Sequence, residues 1–196
     1  MTAGKKILEI GCGTGEFTKR IVPSGADITA IDISPDLLEV ARETIPNATV
    51  RFHIQNVEKL DFEDGCFDVV IGSSILHHLN LKPALKEIYR VLKIGGVVVF
   101  TEPNMVNPQI WMERNIIFIR KLTNSSPDET AFTRWGLKKE LINLGFKNVS
   151  IRPFDFLHPF TPSLLIPFIS KIGNLVERIP LAKEIAGSLL ICGSKE

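Results

Sequence analysis

The sequence predicts an α/β fold on a mostly parallel sheet with helices on both faces. Three observations predict it. Short apolar runs alternate with helix-patterned segments from Lys6 to Thr101. The runs are continuously rich in Val and Ile rather than alternating, as in strands covered on both faces. A glycine-rich turn follows the first run and opens the first helix, where sheets of this kind bind ligands.

The elements follow in order. Lys6–Ile10 reads as a strand, the glycines as a turn, and Glu16 to Val22 as a short helix. Ile28–Ile33 is a second apolar run containing Asp32. Ser34 is placed to cap the next helix, with Pro35 at its first position. Leu37, Leu38, Val40 and Ala41 supply that helix's apolar face. Val50–Gln55 and Phe67–Ile71 are further strands. Leu81–Leu92 carries Leu85, Ile88, Val91 and Leu92 at helical spacing. Gly95-Gly96 then turns the chain into a fifth strand, Val97–Thr101.

The pattern changes after Pro103. Asn107-Pro108 starts a helix carrying Trp111, Met112, Ile116, Phe118, Ile119 and Leu122, followed by a polar loop from Thr123 to Thr130. Thr133 caps a helix running to Leu144 and stopped by Gly145. Lys147–Pro153 and Ser188–Cys192 are the last strands. Between them, Pro162–Ile179 places Leu165, Phe168, Ile169, Ile172, Leu175, Val176 and Ile179 on one helical stripe, with Pro167 expected to kink or delay the helix. The chain reads as one domain, 1–196, with a ligand-binding half at 1–103 and substrate-side or cap insertions at 104–133 and 154–187.

Composition narrows the function. The chain has 196 residues, 44% hydrophobic and 23% charged, an ordinary globular balance. Its 23 basic and 22 acidic side chains leave a net charge of +1, which argues against an electrostatic grip on nucleic acid. Three cysteines, Cys12, Cys66 and Cys192, lie far apart without Cys-x-x-Cys spacing. A reducing, cytoplasmic setting without structural zinc is the expectation. Glu9 interrupts any signal-peptide core, and no uncharged apolar run approaches the ~20 residues needed to span a bilayer.

The sharpest signal is Leu8-Glu9-Ile10-Gly11-Cys12-Gly13-Thr14-Gly15. Without Cβ atoms the backbone can turn sharply and touch a ligand. Asp32 follows about 20 residues after Gly11, at a second strand's tip, where a carboxylate can accept from ribose hydroxyls. That much fits any nucleoside-containing cofactor, NAD included. Two details discriminate. The dinucleotide fingerprint requires glycine where this chain has Glu16, whose carboxylate would repel a pyrophosphate at the helix start. No Lys or Arg lies between Glu9 and Lys19 to offset phosphate. The loop suits a phosphate-free, positively charged nucleoside such as S-adenosylmethionine.

These residues resemble the class I S-adenosylmethionine-dependent methyltransferases, in particular the ubiquinone/menaquinone-biosynthesis-type branch. Glu9-x-Gly11-x-Gly13-x-Gly15 resembles the family's first motif and Ile31-Asp32-Ile33-Ser34 its ribose-binding strand end. Phe67-Asp68-Val69-Val70 with Leu76-His77-His78-Leu79, and Glu87 to Gly96, are similar to its later segments. The resemblance implies a Rossmann-like doubly wound sheet of seven strands in the order 3-2-1-4-5-7-6, strand 7 antiparallel. It implies that Gly11, Cys12 and Gly13 contact the cofactor's methionine part, that Gly15 belongs to the same cofactor-binding loop, that Glu9 lies near the amino group and that Ser73 contributes backbone. Asp32 would bind the ribose and Ile33 would lie against the adenine. Asn56-Val57 falls where the family usually has Asp and a small residue at the adenine amino group; the Asn56 amide oxygen can still accept there. Family members usually carry helices before the first strand. Only Met1–Lys5 precede it here, so the expectation is either that the chain is truncated or that another element closes the site.

For chemistry, the expectation is in-line methyl transfer to a small, apolar, aromatic or lipid-like acceptor. His78, and after it His77, are candidate bases for an acceptor that must lose a proton. Either could instead cap or pack the following helix. Glu102 and Asn104 are candidates to line the acceptor pocket or to end the strand. Asp68 is expected to support a strand end, Glu87 and Arg90 to pair or bracket the sheet, and His53 and His158 to be structural. The aromatic and soft apolar residues Trp111, Met112, Phe118, Trp135, Phe154, Phe156, Phe160 and Phe168 are expected in the core, with an acceptor lid as the alternative. The 162–179 stripe could meet a peripheral membrane or a second copy. Rival readings are a non-catalytic cofactor-binding or partner-binding module and, less favoured because of Glu16, an NAD-dependent oxidoreductase.

Overall fold

A computed structural model describes residues 3–46, 50–116, 132–157 and 161–196. Seven strands form one sheet: β1 Lys6–Ile10, β2 Asp27–Asp32, β3 Val50–Ile54, β4 Phe67–Ser73, β5 Leu92–Pro103, β6 Lys147–Phe154 and β7 Ser188–Ser194. Their order is β3-β2-β1-β4-β5-β7-β6. β7 runs antiparallel to both β5 and β6, and the remaining pairs are parallel. Fold class, strand order and the single reversed strand all follow the expectation.

The helices are α1 Glu16–Ile21, α2 Pro35–Thr44, α3 Leu81–Val91, α4 Pro108–Asn115, α5 Arg134–Asn143 and α6 Ile166–Val176. Ser34 caps α2 by accepting from the Leu37 N–H, with Pro35 at the first position. Asn107 caps α4 by accepting from Gln109 and Ile110, and Thr133 caps α5 by accepting from Gly136. Leu8, Ile10, Val70, Val98 and Phe100 of the sheet pack with Leu85, Ile88 and Val91 of α3 and Leu137 and Leu141 of α5. Cys12, Ala30 and Leu38 form a smaller cluster at α2. The sheet is therefore a fixed platform whose strand ends carry the loops.

Several expectations are corrected here. β5 begins at Leu92, not Val97: Leu92 pairs with Phe67, then the register slips so that Val97 meets Val69. Gly95, at φ 77°, absorbs the irregularity inside the strand rather than ending a turn before it. Of the two outcomes expected at Pro167, kink or delay, the structure shows delay: a 3-10 turn at Ser163–Leu165 leads into α6, and Pro167 sits in its first turn. The core expectation fails for Trp111, Met112, Trp135 and Phe168, which are exposed, while Phe154 and Phe156 are half-buried. Ile119 and Leu122, together with Phe118, His158 and Phe160, fall outside the described residues.

Candidate active site

The glycine turn lies beyond the carboxyl ends of β1 and β2. Gly11, Gly13 and Gly15 all have left-handed backbone, with φ of 63°, 52° and 81°. The demand for glycine differs among them. A Cβ on Gly11 would lie 2.4 Å from Ile75, whereas one on Gly13 would meet nothing within 4 Å. Gly11 is thus glycine because a side chain presses on it. Gly13 faces open space, into which a Cβ there would project.

Asp32 closes the other side. Its Oδ2 accepts from the Gly13 N–H at 2.9 Å and its Oδ1 from the Ser34 N–H at 2.9 Å. Each oxygen keeps a lone pair, so the carboxylate holds the loop and can still accept from a diol. The Cys12 N–H donates to the Ile31 carbonyl, locking loop to strand. Gln55 donates to the Asp32 carbonyl and brings Asn56 and Val57 alongside. Val57 is buried and Ile33 is 70% exposed at the strand tip. The Asn56 Oδ1 accepts from the Glu58 N–H at 2.9 Å, closing a local turn. One lone pair of the atom expected at the adenine is therefore already engaged.

Glu9 lies under the loop and is 2% exposed. Its Oε2 has no hydrogen-bond partner among the described residues. Burial pushes its pKa up to about 7, with Thr18 acting in the opposite direction. That one unpartnered buried oxygen leaves Glu9 able to accept from a further donor. Cys12 offers no nucleophile: burial, then the negative Glu9 and Asp32, push its thiol up to about 12.

The turn after β4 forms the third wall. Ser74 adopts φ 54° and donates its N–H to Thr101, while the hydroxyls of Ser73 and Thr101 lie 2.9 Å apart. Glu102 and Asn104, candidates for the acceptor pocket, point inward instead. Glu102, 1% exposed, accepts from the N–H groups of Ile75 and Leu76 and pairs with His77 Nδ1 at 2.7 Å. Asn104 donates its amide to the Glu184 and Ala186 carbonyls. His77 is buried on Glu102. His78 is exposed and stacks against it, ring centroids 4.0 Å apart. Although its surface is exposed, partial desolvation of the ring lowers the His78 pKa, and the neighbouring His77 and Arg114 lower it further against the opposing pull of Glu102. A neutral imidazole, able to accept a proton, is the form favoured near pH 7.

Beside this turn is a cavity of about 310 Å³. Ser74, Pro103, Ile110, Arg114, Asp155 and Phe156 are among the residues lining it. Sequence reasoning placed the 104–133 and 154–187 segments on this side but missed Arg114 and Asp155 individually. Asp155 has φ 69° and accepts from Gly187 through its carbonyl, features of tertiary packing with no local signal. Asp68 and Arg90 are structural, as read. Asp68 accepts from the Lys6 N–H, and Arg90 binds Glu87, Asp64 and the Leu60 and Phe62 carbonyls. The described residues contain no cluster able to hold a metal ion, and no helix among them is long and apolar enough to cross a membrane.

Comparison with known proteins bears on this arrangement. The methyltransferase domain family matches residues 8–100. A demethylmenaquinone methyltransferase of Staphylococcus aureus is 32% identical over 173 residues, spanning 77% of this chain and 71% of its own. The chain belongs to the class I S-adenosylmethionine-dependent methyltransferases.

Other methyltransferase relatives agree. A methyltransferase-like protein of Schizosaccharomyces pombe is 30% identical over 76% of this chain, and the chain spans 57% of its length. For the demethylmenaquinone methyltransferase of Chlorobaculum parvum the identity is 33%, and the chain spans 48% of that relative. Among solved structures, a chain from the complex between the Haloferax volcanii Trm112 methyltransferase activator and a methyltransferase superposes with a TM-score of 0.74 at 20% identity, covering 99% of this chain and 84% of that one. Phosphoethanolamine N-methyltransferase 2 of Haemonchus contortus, in complex with S-adenosyl-L-methionine, gives 0.72 at 18% identity over 100% of this chain and 49% of that chain. At such identities these two likenesses speak to the methyltransferase fold alone.

Proposed function

We propose that this chain catalyses S-adenosylmethionine-dependent methyl transfer to a small acceptor held in the cavity beside the β4 turn. The observation that carries the reading is the pairing of Gly13 and Asp32: an open position without a side chain, hydrogen-bonded to a carboxylate with lone pairs to spare. Gly11, Cys12, Gly13 and Gly15 hold the methionine end, Glu9 offers charge to the ammonium, and Asp32 accepts from the ribose. Ile33, Asn56 and Val57 border the adenine, and Ser73 completes the methionine side. The cofactor supplies an activated methyl group on a sulfonium.

The protein's work is then orientation and exclusion of water. The cavity adjoins the glycine loop through Ser74 and the turn that carries Ile75, which favours acceptor entry from that side. His78, neutral near pH 7, is the group available to take a proton from a hydroxyl or carbon acid; His77 is occupied by Glu102. Ile110, Phe156 and Leu157 give the cavity an apolar wall suited to an aromatic or lipid-like acceptor. Among the described residues, members of 107–114 in the first insertion and 155–157 in the second supply its substrate side. The exposed stripe of α6, with Phe168 65% and Leu175 63% exposed, is the surface through which a lipid membrane or a second copy would attach. The near-neutral charge disfavours nucleic acid as the acceptor.

Calorimetry with S-adenosylhomocysteine tests the donor half. Saturable binding that Asp32→Ala weakens supports the reading; binding of NADH with no response to S-adenosylhomocysteine would overturn it. Incubation with radiolabelled S-adenosylmethionine and a cell extract tests the transfer half. An acceptor labelled only with active protein supports catalysis, and none labelled by a binding-competent chain favours a non-catalytic module.

A further inference from the structure

We propose that Glu102 is a positioning residue for methyl transfer, holding the donor loop and the His77–His78 pair in register through one buried carboxylate. The proposal rests on the donor-site reading above, which does not itself involve Glu102.

Glu102 lies next to the last residue of β5, with its side chain wholly buried. Three bonds converge on it. Oε1 accepts from the Ile75 N–H at 2.9 Å and the Leu76 N–H at 2.7 Å, and Oε2 lies 2.7 Å from His77 Nδ1. A carboxylate is an acceptor only, so His77 carries its proton on Nδ1. The turn 75–78 cannot shift without stranding a buried charge.

Two functional surfaces hang on that turn. On one side the Ile75 side chain fills the space in front of Gly11 and Gly72, where added Cβ atoms would lie 2.4 Å and 2.7 Å from it. Ile75 therefore presses on the donor loop, and its own backbone N–H is held in place by the Glu102 carboxylate. On the other side His77 stacks on His78, whose charge is sensitive to the cavity residue Arg114. Ser74, at the start of the turn, is held in left-handed backbone, which a looser turn would relax. A single carboxylate thus spans the distance between donor and acceptor sides. An apolar residue of the same size could fill the core but could not fix the turn.

Two substitutions separate this role from mere packing. Glu102→Gln keeps an oxygen for Ile75 and Leu76 but turns an NH2 group toward His77. His77 Nδ1 must then accept, so its proton moves to Nε2. Glu102→Ala removes both anchors. The measurements are S-adenosylhomocysteine affinity by calorimetry and imidazole 15N shifts by NMR. We expect Glu102→Gln to bind within about threefold of the parent while the His77 15N pattern inverts from Nδ1–H to Nε2–H. We expect Glu102→Ala to bind roughly tenfold more weakly, the order for removing the acceptor from buried donors. Parent-like affinity in folded Glu102→Ala, or an unchanged His77 pattern in Glu102→Gln, would overturn the proposal. If Glu102→Ala fails to fold, the Glu102→Gln spectrum decides. Failure of the parent chain to bind S-adenosylhomocysteine would instead sink the donor-site reading, while the 15N spectra would still test the clamp.

Discussion

Gly11→Ala tests the steric logic of the donor loop. Gly11 sits at φ 63°, a conformation that costs an alanine about 1–2 kcal/mol. Its new Cβ would lie 2.4 Å from Ile75 Cδ1 and Cγ1 and 3.0 Å from Ile75 Cβ. The contact includes the root of the side chain, so a rotamer change cannot relieve it. Ile75 cannot retreat either, because its N–H is bound by Glu102 and its Cγ2 packs against Gly72. Overpacking of this kind costs about 1–3 kcal/mol, so the substitution should destabilise the fold by about 2–5 kcal/mol in all. That is a large share of the stability of a single domain. Ile75→Ala opens the space. The double variant Gly11→Ala/Ile75→Ala should therefore be more stable than the sum of the singles by about 1–3 kcal/mol, leaving mainly the backbone cost. Urea unfolding followed by circular dichroism, at unchanged m-value, reads this directly. Effects that add to within about 0.5 kcal/mol would refute the claim that Ile75 dictates glycine at position 11.

Gly13→Ala should behave oppositely: only the backbone cost of about 1–2 kcal/mol in stability, but a large loss of S-adenosylhomocysteine affinity by calorimetry, because its Cβ enters the open space proposed for the ligand. Asp32→Ala should weaken that affinity about 100-fold, the order for losing two hydrogen bonds to a charged acceptor. Glu9 makes both stability and binding depend on pH. Its folded value of about 7 lies above the ordinary 4.5, so the folded chain prefers the neutral form. Stability is full below about pH 4.5 and declines as pH rises toward 7, by up to about 3 kcal/mol. A cationic ligand should reverse the preference, so binding of S-adenosylmethionine near pH 6.5 should release a proton, seen as buffer-dependent calorimetric heat, and Glu9→Gln should abolish the release. The His78 ring should titrate below 6.5 by NMR, and Arg114→Ala should raise its midpoint.

Much of this fold was legible because its strands are buried on both faces. Ile28–Ile33 and Phe67–Ile71 can hardly be anything else between glycines and polar helix starts. The loop from Glu9 to Gly15 and the carboxylate of Asp32 carry their chemistry in their spacing. Less legible was anything set by parity or distant packing. Val98, Phe100 and Glu102 are successive even positions of β5 and share its buried face. That alternation could have placed Glu102 inside the protein rather than in the acceptor pocket. Gly95-Gly96 reads as a turn because its bulge depends on Phe67 in a different strand. The stripe of α6 has core periodicity, and nothing in that pattern reveals that its residues would face outward. Arg114 and Asp155 reach one cavity only through the tertiary fold.

A crystal structure of the chain with S-adenosylhomocysteine tests the central claim most directly. The expected structure has the ribose hydroxyls within hydrogen-bond distance of the Asp32 carboxylate, the amino acid end over Gly11–Gly13 and the sulfur directed toward the cavity lined by Arg114. A ligand bound away from Asp32, or the loop turned from that carboxylate when saturated, would contradict it.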